Sequence, residues 1–400
     1  MLVVTPEFKA DSPHRYAQLR EHGPVHRARL TSGVEAWIVV GYDAARTALT
    51  HPDLLKDPAP AEDALARIGF TAHRAGVGLG GNMLESDPPT HTRLRRLVAG
   101  AFSPRRTQDL APRVRQIADE LLDAMREHDE VDLVAAYTEP LPITVICELL
   151  GVPEGAERGQ FRGWSSLALS PPSEQQRAAT ASLIGYLAEL VARKRARPGD
   201  DLLSALAQEE NAEDGRLTRE ELIGTAALLV IAGHDTTVNL IGNAVVALLR
   251  QPGQAELLRA RPELIQNAVE EFLRYDPSVE QSSFRYAHAD LDLDGVRITK
   301  GDVVVVALGS ASRDAPQQQG GAPADRLDVA RAVPRHLAFG HGIHHCLGAP
   351  LARLEAATAI GKLLRRFPHL RATGPVAEIP WIPGGMMRGP RSLPVRLTAG

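Results

Sequence analysis

From Thr218 to Arg250 the chain runs without a proline and with its most apolar stretch, "TAALLVIAG" (Thr225–Gly233), inside it. The run opens on Thr218-Arg-Glu-Glu221, the pattern in which a threonine and a glutamate satisfy each other's backbone donors at a helix start. A helix of roughly thirty residues is a rod of about 50 Å, enough to cross a whole domain. Everything else must pack around that rod, so the chain is constrained to a mainly helical architecture. Helical patterns also cover Thr90–Phe102, Arg106–Glu127, Pro140–Leu150, Gln176–Arg195, Gln254–Ala260, Pro262–Tyr275 and Ala349–Phe367. Alternating stretches are few and short. "PVHRARL" and "EAWIVVGY" read as an early strand pair turned by "LTSGV", and "SSFRYAHA", "LDLDGVRI" and "DVVVVAL" as later strands. No repeat or long linker divides the 400 residues. The expectation is one domain, 1–400, mainly α with small antiparallel β-sheets.

Composition excludes several classes. The net charge of −4 gives no reason to expect nucleic acid or an anionic membrane as partner. "TAALLVIAG" is about half the length needed to span a bilayer, and the opening residues lack the basic and apolar regions of a secretory signal. A cytoplasmic protein is expected. Of two cysteines, Cys147 sits in the apolar "ITVICELL" and reads as core packing, so no disulfide framework is indicated. "GVGLGG" (Gly76–Gly81) matches a dinucleotide-binding pattern, which needs a strand before it and a helix opening after it. "NMLESDPP" follows instead, and the stretch reads as a glycine-rich loop.

The second cysteine lies in "FGHGIHHCLG", Phe339–Gly348, with His341, His344 and His345. A zinc site needs about four ligands from separated pairs. No second cysteine is near, and adjacent histidines point in different directions. The spacing Phe339-x-x-Gly342-x-His344-x-Cys346-x-Gly348, followed at once by a helix, suits another role. A cysteine just ahead of a helix N-terminus sits in positive potential that favours the thiolate. The flanking glycines let the backbone approach a flat macrocycle, and such a thiolate is the axial ligand of haem oxygenases.

With this loop the chain resembles the cytochrome P450 family, specifically soluble bacterial members of the macrolide-tailoring type, from "REHGPVHRARL" to "RGPRSLPVRL". Three further motifs stand in the family's order. "AGHDTT" (Ala232–Thr237) lies midway along the long helix, and the resemblance makes it the oxygen-activating groove, with Asp235 and Thr236 the acid–alcohol pair and Ala232 and Gly233 over the haem. Glu271 and Arg274 match a buried ion pair that bridges to a later arginine, expected at Arg326 in "PADRLD", where Leu327 replaces the usual aromatic residue. "NMLESDPPTHTRLRRLVAGAF" places His91 and Arg95 one turn apart. The resemblance implies that His91, Arg95, Arg285 and His344 bind haem propionates and that Cys346 binds iron. It also places Met83, Leu84, Phe339, Gly340, Gly348 and Ala352 against the haem, leaving His341 as loop packing and His345 toward the proximal surface.

The resemblance implies a monomeric haem-thiolate monooxygenase using haem b and dioxygen. The chain carries no flavin, nicotinamide or iron–sulfur motif, so electrons are expected from a ferredoxin and its reductase. Arg93, Arg96, Arg105 and Arg353 are candidates for a basic docking patch. A haem electron carrier or gas sensor would not need Asp235-Thr236, and a zinc hydrolase would show tetrahedral ligation. Expected substrate-contact segments are Ala61–Leu84, Gly163–Pro172, Leu229–Thr236, Val279–Ser283 and Gly384–Met387. They are mostly apolar and small, which suits a bulky neutral product of secondary metabolism: a macrolide, polyketide or terpenoid. Hydroxylation and epoxidation head the reactions expected, with demethylation and ring coupling as variants.

Overall fold

The central helix starts as its sequence dictates. Thr218 Oγ1 accepts from the Glu221 N–H at 3.1 Å, and the Glu221 carboxylate accepts from the Thr218 N–H at 2.9 Å. The computed structural model describes residues 1–68, 81–168, 173–208, 215, 217–316, 322–332 and 334–397. Within them the expected single rod is two helices, Arg219–Gly233 and Asp235–Arg250, meeting at His234. Three local bonds explain the break. Thr236 Oγ1 donates to the Ala232 carbonyl at 2.5 Å, and the Thr237 and Val238 N–H groups both turn to the His234 carbonyl. A hydroxyl that bonds back to a carbonyl one turn earlier bends a helix.

Each half of the rod buries a different core. On Asp235–Arg250, Leu240, Ile241, Ala244, Val245 and Leu248 recur at one-turn spacing and are 0–3% exposed. They share a hydrophobic core with the helices Pro104–Met125, Ile265–Tyr275 and Ala349–Arg366. Truncating a fully buried aliphatic here, such as Ile241→Ala, costs about 2–5 kcal/mol. On Arg219–Gly233, Leu222, Ala226, Ala227 and Val230 pack with Glu174–Ala196 and Pro140–Leu149. A π-helical turn, Val134–Thr138, links the two regions, with the Tyr137 hydroxyl donating to the Ala359 carbonyl at 3.0 Å.

Six strands form the main sheet, in the order β1 (Leu2–Val3), β2 (Val25–Arg29), β3 (Glu35–Val39), β9 (Val303–Val306), β6 (Arg285–Ala287), β4 (Leu54–Leu55). The sheet is mixed rather than purely antiparallel: β1 runs parallel to β2, and β3 parallel to β9. All four residues of β9 are buried, which is why that strand reads as an unbroken apolar run instead of alternating. "LDLDGVRI" folds into a hairpin of β7 (Leu291–Leu293) and β8 (Val296–Ile298). Its turn residues Asp294 and Gly295 have φ of 53° and 80°, the conformation Asp-Gly favours. A third sheet joins β10 (Arg371–Ala372), β11 (Pro394–Arg396) and β5 (Glu130–Asp132).

Of the "GVGLGG" stretch only Gly81 falls within the described residues. Asn82 follows it and caps the single turn Met83–Glu85, accepting from the Leu84 N–H at 2.9 Å, so no long helix opens there. Among the described residues no helix is long and apolar enough to cross a membrane.

Candidate functional site

The cysteine loop is a set of tight turns closed by its own backbone. The Cys346 N–H donates to the Phe339 carbonyl at 2.8 Å, the Gly340 N–H to Leu337, and the His345 N–H to Gly342. Gly340 and Gly342 take φ of 73° and 75°, where side chains are strained, and a Cβ at 342 would also lie 2.8 Å from Thr50 Cγ2. The helix Ala349–Arg366 begins three residues after Cys346, with Gly348 as its cap. Crowding by protein pushes the Cys346 thiol up, although its surface is accessible. The backbone N–H groups of Gly348 and Ala349 and the guanidinium groups of Arg95 and Arg353 pull it the other way. Those opposing groups are what a thiolate here would lean on.

The surroundings of Phe339 and Arg353 are fixed by Glu270. Arg353 Nε and Nη2 donate to its two oxygens at 2.6 and 2.9 Å, and His336 Nε2 lies 3.1 Å from Oε2. Burial would raise the Glu270 pKa, but these partners outweigh it and hold it down at about 2. The Arg353 guanidinium lies 4.6 Å from the Phe339 ring centroid, so a cation covers the ring beside the cysteine loop. Arg353 is therefore neutralised, and Arg93 pairs with Glu221. The expected four-arginine docking patch loses two of its free charges. Arg105 is exposed, as is Ile343 within the loop itself.

Glu271 is gripped by Arg274, Nε to Oε2 at 2.6 Å, and by Arg331, Nε to Oε2 at 3.1 Å. The expected third member, Arg326, is corrected to Arg331. The Arg326 side chain is exposed, and only its carbonyl joins the network, accepting from Arg274 and Arg331 at 3.0 Å each. Buried Leu327 turns inward at this bend, leaving Arg326 outside.

A cluster of basic side chains is buried with several of its nitrogens unpaired among the described residues. The His91 and His344 rings lie 4.4 Å apart. Both His91 nitrogens, His344 Nε2 and Arg285 Nε are buried without a hydrogen-bond partner among the described atoms. Arg285 Nη1 donates to the Leu54 carbonyl at 3.1 Å. Lys56 is also buried, with Nζ donating to Ser283 Oγ at 2.6 Å and to the Phe284 carbonyl at 3.0 Å. Burial first, and then mutual repulsion with Lys56, Arg285, His91 and Arg95, drives His344 down to about 2. Burial likewise brings Arg285 to about 10, against the pull of Asp87. Arg95 ties this cluster to the cysteine loop by donating to the His345 carbonyl at 2.7 Å. Unpaired buried donors cost about 1–3 kcal/mol each, and a buried dicarboxylate would satisfy them. The sequence missed Lys56, for which burial is the only signal.

At the break in the central helix, Ala232 is exposed and Thr236 half-buried. A Cβ at Gly233 would sit 2.6 Å from Ile146 Cδ1, so any larger residue would displace Ile146. Burial, with the Glu139 carboxylate adding to it, raises Asp235 to about 6. Its neighbour His234 is buried with Nδ1 3.5 Å from Asp235 Oδ1, and burial, against a hydrogen bond to the Glu139 backbone, lowers its pKa to about 4. Met83 is buried, Leu84 packs beside it, and Ala352 is half-buried on the first turn of the cysteine helix. Of the expected contact segments, residues 69–80 and 169–172 lie outside the described residues. Among the described residues no group of three or more His, Cys, Asp or Glu side chains is placed to hold a metal ion.

The family model for cytochrome P450 matches residues 161–378. The chain is 46% identical to cytochrome P450 monooxygenase PikC of Streptomyces venezuelae, over 98% of this chain and 93% of that one. It is 42% identical to the mycinamicin IV hydroxylase/epoxidase of Micromonospora griseorubida, over 95% and 94%. It is also similar to the solved structure of the tirandamycin C-bound P450 monooxygenase TamI, at 41% identity and a TM-score of 0.89 over all of both chains.

Proposed function

Since the chain belongs to the cytochrome P450 family, we propose that it inserts one oxygen atom from dioxygen into a bulky, mostly apolar macrolide or polyketide, by hydroxylation or epoxidation. It is a monooxygenase with haem b as prosthetic group. When bound, haem b supplies the iron at which dioxygen is reduced and split. The chain's residues do the holding, orienting and proton handling.

One observation supports the assignment most: unpaired donors of His91, His344 and Arg285 cluster beside the loop that presents Cys346. Those donors would hold the two carboxylates of the bound haem, and Cys346 would hold its iron. Gly340 and Gly342 permit the backbone's close approach, Phe339 and Arg353 brace the loop, and Met83, Leu84, Ala232, Gly233, Gly348 and Ala352 offer small or apolar surface. The Glu271–Arg274–Arg331 network holds the loop from behind. Thr236, on the groove, is the group that holds a proton at the reacting end. Asp235, with its pKa near 6, resupplies it from the Glu139 side.

The chain 1–400 is taken to act as one domain, as a cytoplasmic monomer, with a ferredoxin and its reductase as electron donors. Exposed Ile343 and Arg105 are the groups offered to such a donor. The test is a screen of purified holoenzyme against macrolides and polyketides, including mycinamicin IV, for substrate-induced spin-state shifts, followed by turnover with a ferredoxin system. Binding with mono-oxygenated product supports the reading. Shifts only with small polar compounds or fatty acids would overturn the substrate class.

A further inference from the structure

Two segments form a wall beside the groove of the central helix. Ser278–Gln281 and Met386–Arg388 pair in antiparallel fashion: the Glu280 N–H donates to the Met386 carbonyl at 2.9 Å, and the Arg388 N–H to the Ser278 carbonyl at 2.8 Å. Asn243 Nδ2 donates to the Asp276 and Arg388 carbonyls at 3.0 and 3.1 Å, and Gly389 packs so closely on Asn239 that a Cβ there would overlap it. Asn239 and Asn243 lie three and seven residues after Thr236, on the same helix face. In the other direction the first segment continues to Ser283, bonded to Lys56, and to Arg285 in the cation cluster. The wall therefore runs from the helix face that carries Thr236 toward that cluster.

One part of this wall is weak by composition. Gly384-Gly385 is a double glycine, Gly385 has φ of 76°, and two flexible methionines follow. Its backbone is held by the distant N-terminal region. Lys9 Nζ donates to the Gly385 carbonyl at 3.2 Å, and Thr31 Oγ1 accepts from the Gly385 N–H at 3.2 Å. The same Lys9 ammonium pairs with the Glu280 carboxylate of the opposite segment, to which Ser12 Oγ also donates. The Lys9 carbonyl accepts from Arg388 Nη1 at 2.6 Å, and Arg388 Nε donates to Asp276 at 2.7 Å. Lys9, Ser12, Glu280, Asp276 and Arg388 are all buried.

Two buried ion pairs are a poor source of net stability, because desolvation offsets their attraction. What they do well is fix register, and here one ammonium spans both strands of the wall. We propose that Lys9 is a positioning residue for substrate: it clamps Gly385 and Glu280 together, and with Thr31 it sets how far the Gly384–Met387 turn intrudes on the pocket. It does not touch substrate. Its effect grows with ligand size, since a small ligand does not reach the wall. The inference rests on the pocket assignment above, but its test does not depend on the natural substrate.

The test measures spectral binding of azoles of graded bulk, imidazole, 4-phenylimidazole and ketoconazole, to purified holoenzyme. Lys9→Met/Glu280→Gln removes both charges together, and Thr31→Val keeps them paired while removing the acceptor for the Gly385 N–H. Both variants should bind imidazole within about two-fold of wild type and change ketoconazole affinity at least about five-fold. Should the double variant fail to retain haem, Thr31→Val carries the same criterion alone. Ketoconazole affinity within two-fold of wild type in every haem-loaded variant, or equal changes for all three azoles, would overturn the proposal. A wild type that binds azoles but no macrolide or polyketide would count against the substrate reading and leave this comparison standing.

Discussion

Arg331 Nε lies 3.1 Å from Glu271 Oε2, on the carboxylate that Arg274 Nε grips at 2.6 Å, and none of the three side chains is more than 3% exposed. The carboxylate also accepts from the Asp328 N–H at 2.9 Å, so it anchors the backbone that leads into the cysteine loop. Glu271→Ala leaves two buried guanidinium groups without a counter-charge, a loss of roughly 3–5 kcal/mol. Little soluble, haem-loaded protein is expected. Arg331→Met should show most of this defect, whereas Arg326→Ala should stay within about 0.5 kcal/mol of wild type, as exposed sites do. Thermal unfolding and haem content of the three variants check the assignment, and the reverse order would refute it.

Thr236 donates its hydroxyl to the Ala232 carbonyl at the break in the central helix. Thr236→Ala removes that hydroxyl and little volume, so folding and haem binding should survive. Reductant consumption should stay near normal while product falls and hydrogen peroxide rises to account for the difference. Asp235→Asn should instead slow turnover more than it diverts electrons, because it removes the group that resupplies protons. Full coupling in Thr236→Ala across several substrates would reduce the residue to a helix-bending role.

Glu355 is buried on the cysteine helix, its Oε2 has no partner among the described residues, and burial raises it to about 8. A carboxyl whose folded pKa is raised is stabilising while protonated. That contribution is complete below the unfolded value near 4.3 and is lost as pH rises through about 8. Glu355→Gln cannot ionise, so its stability relative to wild type should rise between about pH 5 and 8, with a slope approaching 1.4 kcal/mol per pH unit, and level off above. Denaturant unfolding at several pH values measures this. A pH-independent difference would show that Glu355 finds an ionic partner.

How much of this was legible beforehand depended on how local the cause was. The capping box at Thr218 and the glycine spacing around Cys346 are local, and both did what their residues imply. The break at His234 was not foreseen as a division, because it depends on which carbonyl the Thr236 hydroxyl chooses. Helix Ala156–Ala168 was missed because Gly159 and Gly163 depress its propensity, while packing through buried Phe161 and Ser165 overrides them. Helices Pro6–Ala10 and Ser12–Arg20 are too short to announce themselves, and they form where Phe8 and Tyr16 are buried. Arg326 was mistaken for Arg331 because the two lie five residues apart in one loop. Only the fold of residues 322–331 decides which side chain turns inward.

The functional account depends on Cys346 binding the haem iron, and the reduced, carbon-monoxide-bound protein reports on it directly. Wild type should show the red-shifted Soret band of thiolate ligation. Cys346→His should bind haem without that band and without monooxygenase activity. A Cys346→Ala protein that keeps both the band and the activity would contradict the assignment.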